Sequence, residues 1–305
     1  MEVEKLSSCP NMNLSEPLKV KTMGNIIEVQ YMSHRNNKQT VQMLKGGKQY
    51  VVCSTGEIVD IKKKETRQEN RKGLLKTFAL CRDLINTNVT DVSKVRWITL
   101  TYKENMTDTK KLYKDFEKFN KRFQYFCKKN NYGKPEYIVM MEPQGRGAWH
   151  AHLLYIWEDR KAPFIENKVL ADLWGHGFVK IKKLDNVDNV GAYLTAYLGD
   201  MEYSETIEAD IWVNNDFKKV EVEEDGKKVK KMILKGARLK LYPANFNMIR
   251  HSRGIKKPVV EFVEHSEIKE KISGATLTFE KTLRLKDVST NFECIINTKY
   301  YNMLR

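Results

Sequence analysis

The run Glu136-Tyr137-Ile138-Val139-Met140-Met141-Glu142, the turn Pro143-Gln144-Gly145-Arg146-Gly147 and the run Trp149-His150-Ala151-His152-Leu153-Leu154-Tyr155-Ile156-Trp157 decide the fold. Both runs are β-branched, aromatic and aliphatic, which predicts two strands. A tight turn between them forces an antiparallel pair. His150 and His152 are two residues apart, so on a strand they share one face, about 7 Å apart. Glu142 ends the preceding strand, opposite or diagonal to the histidines, where cross-strand neighbours share a face. Two imidazoles and a carboxylate can chelate one divalent cation and leave positions open for a substrate oxygen. Such a mixed set suits magnesium or manganese in phosphoryl transfer. A His-x-His pattern alone is common. Here it lies among Leu153, Leu154 and Ile156, where an unsatisfied imidazole is costly.

Working outward, Val95–Tyr102 reads as a strand. Leu112–Lys129 carries Phe116, Phe119, Phe123 and Phe126 at helical steps, a core-packing face rather than a base-stacking one. Phe164–Trp174 predicts a helix, Phe178–Lys183 a fourth strand, and Val187–Leu198 a further helix. His176, between two glycines, reads as structural or substrate-facing rather than as a ligand. The expected fold class is α+β: a central antiparallel sheet with helices packed on it, ferredoxin-like or RNA-recognition-like in outline, plus accessory N- and C-terminal regions. Sequence character divides the chain into 1–70, 71–200 and 201–305. The first segment is polar up to about Thr40, which predicts a loose or peripheral stretch. A short hairpin follows at Gln49–Cys53 and Glu57–Ile61. In the last segment Asp225-Gly226 predicts a hairpin between Lys218–Glu224 and Lys228–Leu234. Two more strand-like runs cover Ala275–Leu285 and Asn291–Tyr300.

The 305 residues carry a formal net charge of +15, which favours a polyanionic partner. Candidate nucleic-acid contacts are Arg146 in the turn, Lys180, Lys182 and Lys183 in the fourth strand, and Arg253, Lys256 and Lys257 in a glycine-interrupted basic stretch. Five cysteines with no zinc-like spacing argue for reduced thiols and a cytoplasmic setting. No apolar run is long enough to span a bilayer, so no membrane role is expected.

Tyr193 and Tyr197 are four apart, so on a helix their hydroxyls share a face. That spacing is more often a packed helix face. The chelating set upstream tips the reading toward covalent nucleophiles acting beside a metal.

Together these residues resemble the HUH endonucleases, specifically the replication initiators of rolling-circle plasmids and phages. Three ordered motifs carry the resemblance: Trp97-Ile98-Thr99-Leu100-Thr101-Tyr102, then His150-Ala151-His152 with Glu142 upstream, then Tyr193 and Tyr197. In relaxases of conjugative plasmids the tyrosine precedes the histidines, whereas here it follows, as in the two-tyrosine Rep proteins. Lys235–Pro243 and Ser252–Pro258 are similar to flanks of such proteins. The resemblance implies a nuclease domain over 71–200, a magnesium or manganese ion on Glu142, His150 and His152, and nicking and rejoining of single-stranded origin DNA through a 5′-phosphotyrosine. It also implies a host helicase and polymerase as partners. Tyr193 is the expected first nucleophile. One departure is Ala196, where the family often has a lysine; Lys180, Lys182 or Lys183 could substitute. The alternatives are a non-catalytic single-stranded nucleic-acid-binding protein and a transposase of the same superfamily.

Overall fold

A computed structural model of the chain describes residues 2–10, 12–35, 39–62, 70–144, 147–184, 189–195, 201–202, 217–224, 227–234, 238–288 and 291–304. The chain forms two compact units, one of Met1–Lys64 with Pro258–Arg305, the other of Glu65–Lys257. The division by sequence character into three segments differs from this. Both chain ends enter one unit, and the other runs on to Lys257.

The first unit opens with β1 (Glu2–Leu6), β2 (Leu18–Met23) and β3 (Ile26–Met32). A small antiparallel meander follows, of β4 (Val41–Met43), β5 (Gln49–Val52) and β6 (Ile58–Asp60). Its β5–β6 pair is the hairpin expected there. The second unit contains α1 (Arg71–Asn88), β7 (Val95–Thr101), α2 (Thr109–Lys129), β8 (Glu136–Pro143), β9 (Trp149–Ile156), α3 (Asn167–Trp174) and β10 (Val179–Lys182). It continues through α4 (Val190–Thr195), β11 (Met201–Glu202), β12 (Phe217–Glu224), β13 (Lys227–Leu234) and β14 (Ile249–His251). The first unit resumes with β15 (Val259–Val263), the short α5 (Ile268–Lys271), β16 (Thr276–Asp287) and β17 (Phe292–Asn302).

The α+β expectation holds. In the second unit the sheet order is β10-β7-β9-β8-β14, antiparallel throughout. From β7 to β10 the chain runs β-α-β-β-α-β, and β14 adds a fifth strand beside β8. Asp108 caps α2 by accepting hydrogen bonds from the Lys110 and Lys111 amides at 2.8 and 3.1 Å. The helix buries Leu112, Phe116, Phe119, Phe123 and Cys127, while its lysines face outward. Each phenylalanine so buried contributes about 1.5–3 kcal/mol. Phe123 stacks 4.2 Å from Tyr155 of β9, and the Tyr155 hydroxyl donates to Asn120 at 2.9 Å. α2 therefore covers the β9 face that carries Ala151, Leu153 and Tyr155. Period-two alternation turns His150 and His152 to the opposite face.

Gly175 ends α3 with a left-handed φ of 70°. Two residues on, a Cβ at Gly177 would lie 2.4 Å from the Lys103 amide nitrogen and 2.5 Å from the Thr101 carbonyl. Only glycine lets the lead-in to β10 approach the end of β7 this closely.

The first unit is a six-stranded sheet ordered β1-β16-β17-β3-β2-β15, with Leu18, Val20, Ile27, Val29, Tyr31 and Val263 as its core. The expectation of a loose segment up to Thr40 is corrected here. β2 and β3 are interior strands joined across Gly24-Asn25, with Gly24 at φ 57°. The pairing partner that makes β3 interior is β17, with Tyr300 opposite Glu28. Such a partner, distant in sequence, leaves no local signature.

Candidate metal centre

The hairpin register places Glu142 of β8 directly across from His150 of β9. On the other side of β9, Thr101 of β7 faces His150 and Thr99 faces His152. At the hairpin end the Gln144 amide donates to the Ala148 carbonyl at 2.7 Å, which closes the turn and fixes this register. Arg146 lies outside the described residues.

Glu142 is 4% exposed. Its Oε2 is 3.2 Å from His150 Nε2 and 3.3 Å from His152 Nε2. The two imidazole rings are 4.5 Å apart. One ligand atom from each of the three residues lies within 4.8 Å of the others. Two ring nitrogens and a carboxylate oxygen converging in this way fit a divalent cation, and they occupy only part of its coordination sphere. His152 Nδ1 is 3.2 Å from the Thr99 hydroxyl, which also accepts from the Trp97 indole N–H at 3.3 Å. With Nδ1 so engaged, Nε2 of His152 is turned toward the carboxylate.

The electrostatics agree with a ligand set. Burial opposes ionisation of Glu142. The hydrogen bonds of His150 and His152 and the charge of Arg238 outweigh it, and hold the carboxyl well below the usual carboxylate range. Burial pushes His150 below the ordinary histidine value, only partly offset by Glu142. A lowered value keeps its imidazole neutral near pH 7, the form that binds metal.

Arg238 is the residue that sequence reasoning missed. Its Nη1 lies 3.0 Å from Glu142 Oε1. The available signal was its place in the basic run Lys235-Gly236-Ala237-Arg238, which carries no periodicity linking it to β8.

Lys180 faces Thr99 and Lys182 faces Trp97 across the β10–β7 pair. Directly opposed residues share a face, so Lys180, Thr99 and His152 form one row on the histidine side. Lys180, Lys182 and Lys183 are all exposed. The basic stretch goes elsewhere. Lys256 pairs with Glu158, just past the C-terminal end of β9, and its amide donates to Asn88 at 2.9 Å. From His150 to Ile156 the strand spans about 20 Å. Arg253 and Lys257 are exposed in the same stretch. His176 is structural, as expected. It lies 3.5 Å from Asp115 and packs on Tyr102 and Trp174.

Tyr193 lies in α4, but its side chain, and Ala196 and Tyr197 altogether, fall outside the described residues. α4 is held by Gly191, whose amide donates to the Asn86 side chain of α1 at 2.7 Å. A Cβ at Gly191 would lie 2.5 Å from the Arg82 carbonyl, so the helices meet backbone to backbone there.

Residues 95–202 match the family of the replication-associated protein ORF2. That span contains β7 through β11, all three residues of the triad and both tyrosines. No curated protein and no solved structure gives a significant match. Among the described residues no helix is long and apolar enough to cross a membrane.

Proposed function

We propose that this chain is a replication initiator that nicks and rejoins one strand of origin DNA through a 5′-phosphotyrosine. The observation that carries the reading is the Glu142–His150–His152 cluster, lying inside the span that matches a replication-associated family. Magnesium or manganese at this cluster would polarise the scissile phosphate and stabilise charge on it. Glu142, ionised and buried, and His150, kept neutral, are the donors such an ion needs.

Tyr193 or Tyr197 supplies the nucleophile. A bond forms between the tyrosine oxygen and phosphorus, and the bond from phosphorus to the 3′ oxygen breaks. The tyrosine proton is released, and the departing 3′ oxygen takes up a proton to become a free hydroxyl. That hydroxyl is the primer end that a host polymerase, working behind a host helicase, would extend. The linkage conserves the bond energy, so a second transfer reseals the strand without a nucleotide cofactor. Lys180 and Lys182, on the histidine face, are placed to meet the DNA backbone and to replace the lysine absent at Ala196.

The test is incubation of the protein and manganese with a library of single-stranded DNA, followed by sequencing of protein-linked 5′ ends. Covalent adducts at a defined sequence are expected, and the double variant Tyr193→Phe with Tyr197→Phe should bind DNA but form none. Adducts undiminished in that variant would refute the tyrosine assignment. Binding with no adduct from the unmodified protein would favour a nucleic-acid-binding protein without chemistry.

A further inference from the structure

Glu142 uses its two oxygens differently. Oε2 faces both histidines, at 3.2 and 3.3 Å, while Oε1 meets the guanidinium of Arg238 at 3.0 Å. The terminal torsion of a glutamate is soft and roughly two-fold, so an unrestrained carboxylate can turn away from its ligand position. A planar guanidinium fixes that plane as a point charge cannot. We infer that Arg238 is a positioning residue for the metal centre, holding Glu142 by Oε1 so that Oε2 stays turned toward His150 and His152. This rests on the metal-centre reading above and adds to it a residue outside the matched span 95–202.

Two further features support it. Among the described residues Glu142 is the ion-pair partner of Arg238, and the Arg238 Nε has no hydrogen-bond partner. The carboxylate is therefore what orders the guanidinium, and the converse follows. The segment carrying Arg238 is also fastened to the histidine strand itself. Tyr242, fully buried, packs 5.6 Å from Trp149, the residue before His150. Phe246 stacks on Trp149 at 4.6 Å and lies 5.8 Å from Tyr242. A short 3-10 turn, Leu239–Leu241, joins this aromatic anchor to Arg238. The anchor sets where the guanidinium sits before any ion arrives.

The experiment is calorimetric titration of manganese into the metal-free full-length protein. Arg238→Ala should weaken manganese binding about 10–100-fold, the range for residues that orient metal ligands. Arg238→Lys should recover part of the loss, since it restores the charge without the fork. Arg253→Ala, an exposed arginine elsewhere, should bind like the parent. The metal-free melting temperature of each variant separates misfolding from loss of positioning, and Arg238→Gln replaces the alanine variant if that fails to fold. Binding by Arg238→Ala as tight as the parent, or tighter, overturns the inference. A different result marks failure of the metal-centre reading: parent and Glu142→Ala would then take up manganese equally, or not at all, and the role of Arg238 falls with it.

Discussion

Glu142 is 4% exposed, and faces two histidines and an arginine. Glu142→Gln keeps its shape and removes its charge. Manganese affinity should drop at least roughly tenfold, read by calorimetry. The substitution also leaves the Arg238 guanidinium without its counter-charge. Breaking a buried pair costs about 3–5 kcal/mol, and the partial exposure of Arg238 puts the expected loss at the lower end. Chemical denaturation of the metal-free variant measures it. The pH dependence follows from the same residues. The folded Glu142 carboxyl titrates below its unfolded value, so its contribution is present above that value and is lost as pH falls. His150 is also depressed on folding, so the unfolded chain takes up its proton first as pH drops below about 6.5. Both effects have one sign. The metal-free protein should lose stability on acidification, starting just below neutrality, and Glu142→Gln should flatten the lower part of that profile. Denaturation midpoints from pH 7.5 to 4 decide it. A midpoint that rises on acidification would contradict both assignments.

At the scale of elements, α4 is set against α1 by the absence of a side chain at Gly191. Gly191→Ala would put a methyl 2.5 Å from the Arg82 carbonyl and 2.7 Å from the Asn86 side chain. Overpacking of this kind costs about 1–3 kcal/mol. The helix that carries Tyr193 would shift, while β8 and β9 would not. Adduct formation should fall several-fold and manganese affinity should stay unchanged; a parallel loss of both would show that α4 is not separable from the metal centre. Local signals were the legible ones. The Glu142–His150 pairing followed from a short turn and period-two alternation, both contained in one stretch of sequence. α2 followed from phenylalanines at helical spacing, and its packing on Tyr155 agrees. Arg238 was not legible, because a charged residue in an aperiodic basic run gives no hint of which strand it will reach. β2 and β3 were missed for a related reason. Their residues are mixed with lysine and glutamate, and Gly24-Asn25, a recognised hairpin pair, went unused between two short runs. The basic residues around Lys256 looked like one nucleic-acid surface with the histidine strand. The ion pair with Glu158 puts them at the other end of β9 instead.

Across the whole molecule, a net charge of +15 makes DNA binding a salt-sensitive property. The logarithm of the association constant for single strands should fall linearly with the logarithm of salt concentration, by about 0.7 per neutralised phosphate. Lys180→Ala combined with Lys182→Ala should make that slope shallower by about one to two such contacts. Filter binding at several salt concentrations reads this directly, and an unchanged slope would remove these lysines from the interface. The two units also differ in how they depend on chain order. Every strand of the β10-β7-β9-β8-β14 sheet lies between Val95 and His251, so its partners emerge from the ribosome close together. The other sheet seats β17 between β3 and β16. The third strand to be made therefore waits for the last one. During synthesis β2 and β3 exist as an open-edged hairpin for nearly the whole length of translation, a period in which unpaired strand edges invite wrong partners. Any arrest or frameshift before Phe292 yields a protein with its nuclease-like sheet complete and its first sheet unable to close. A host protease that recognises unpaired strands would then remove the truncated product while sparing the finished one.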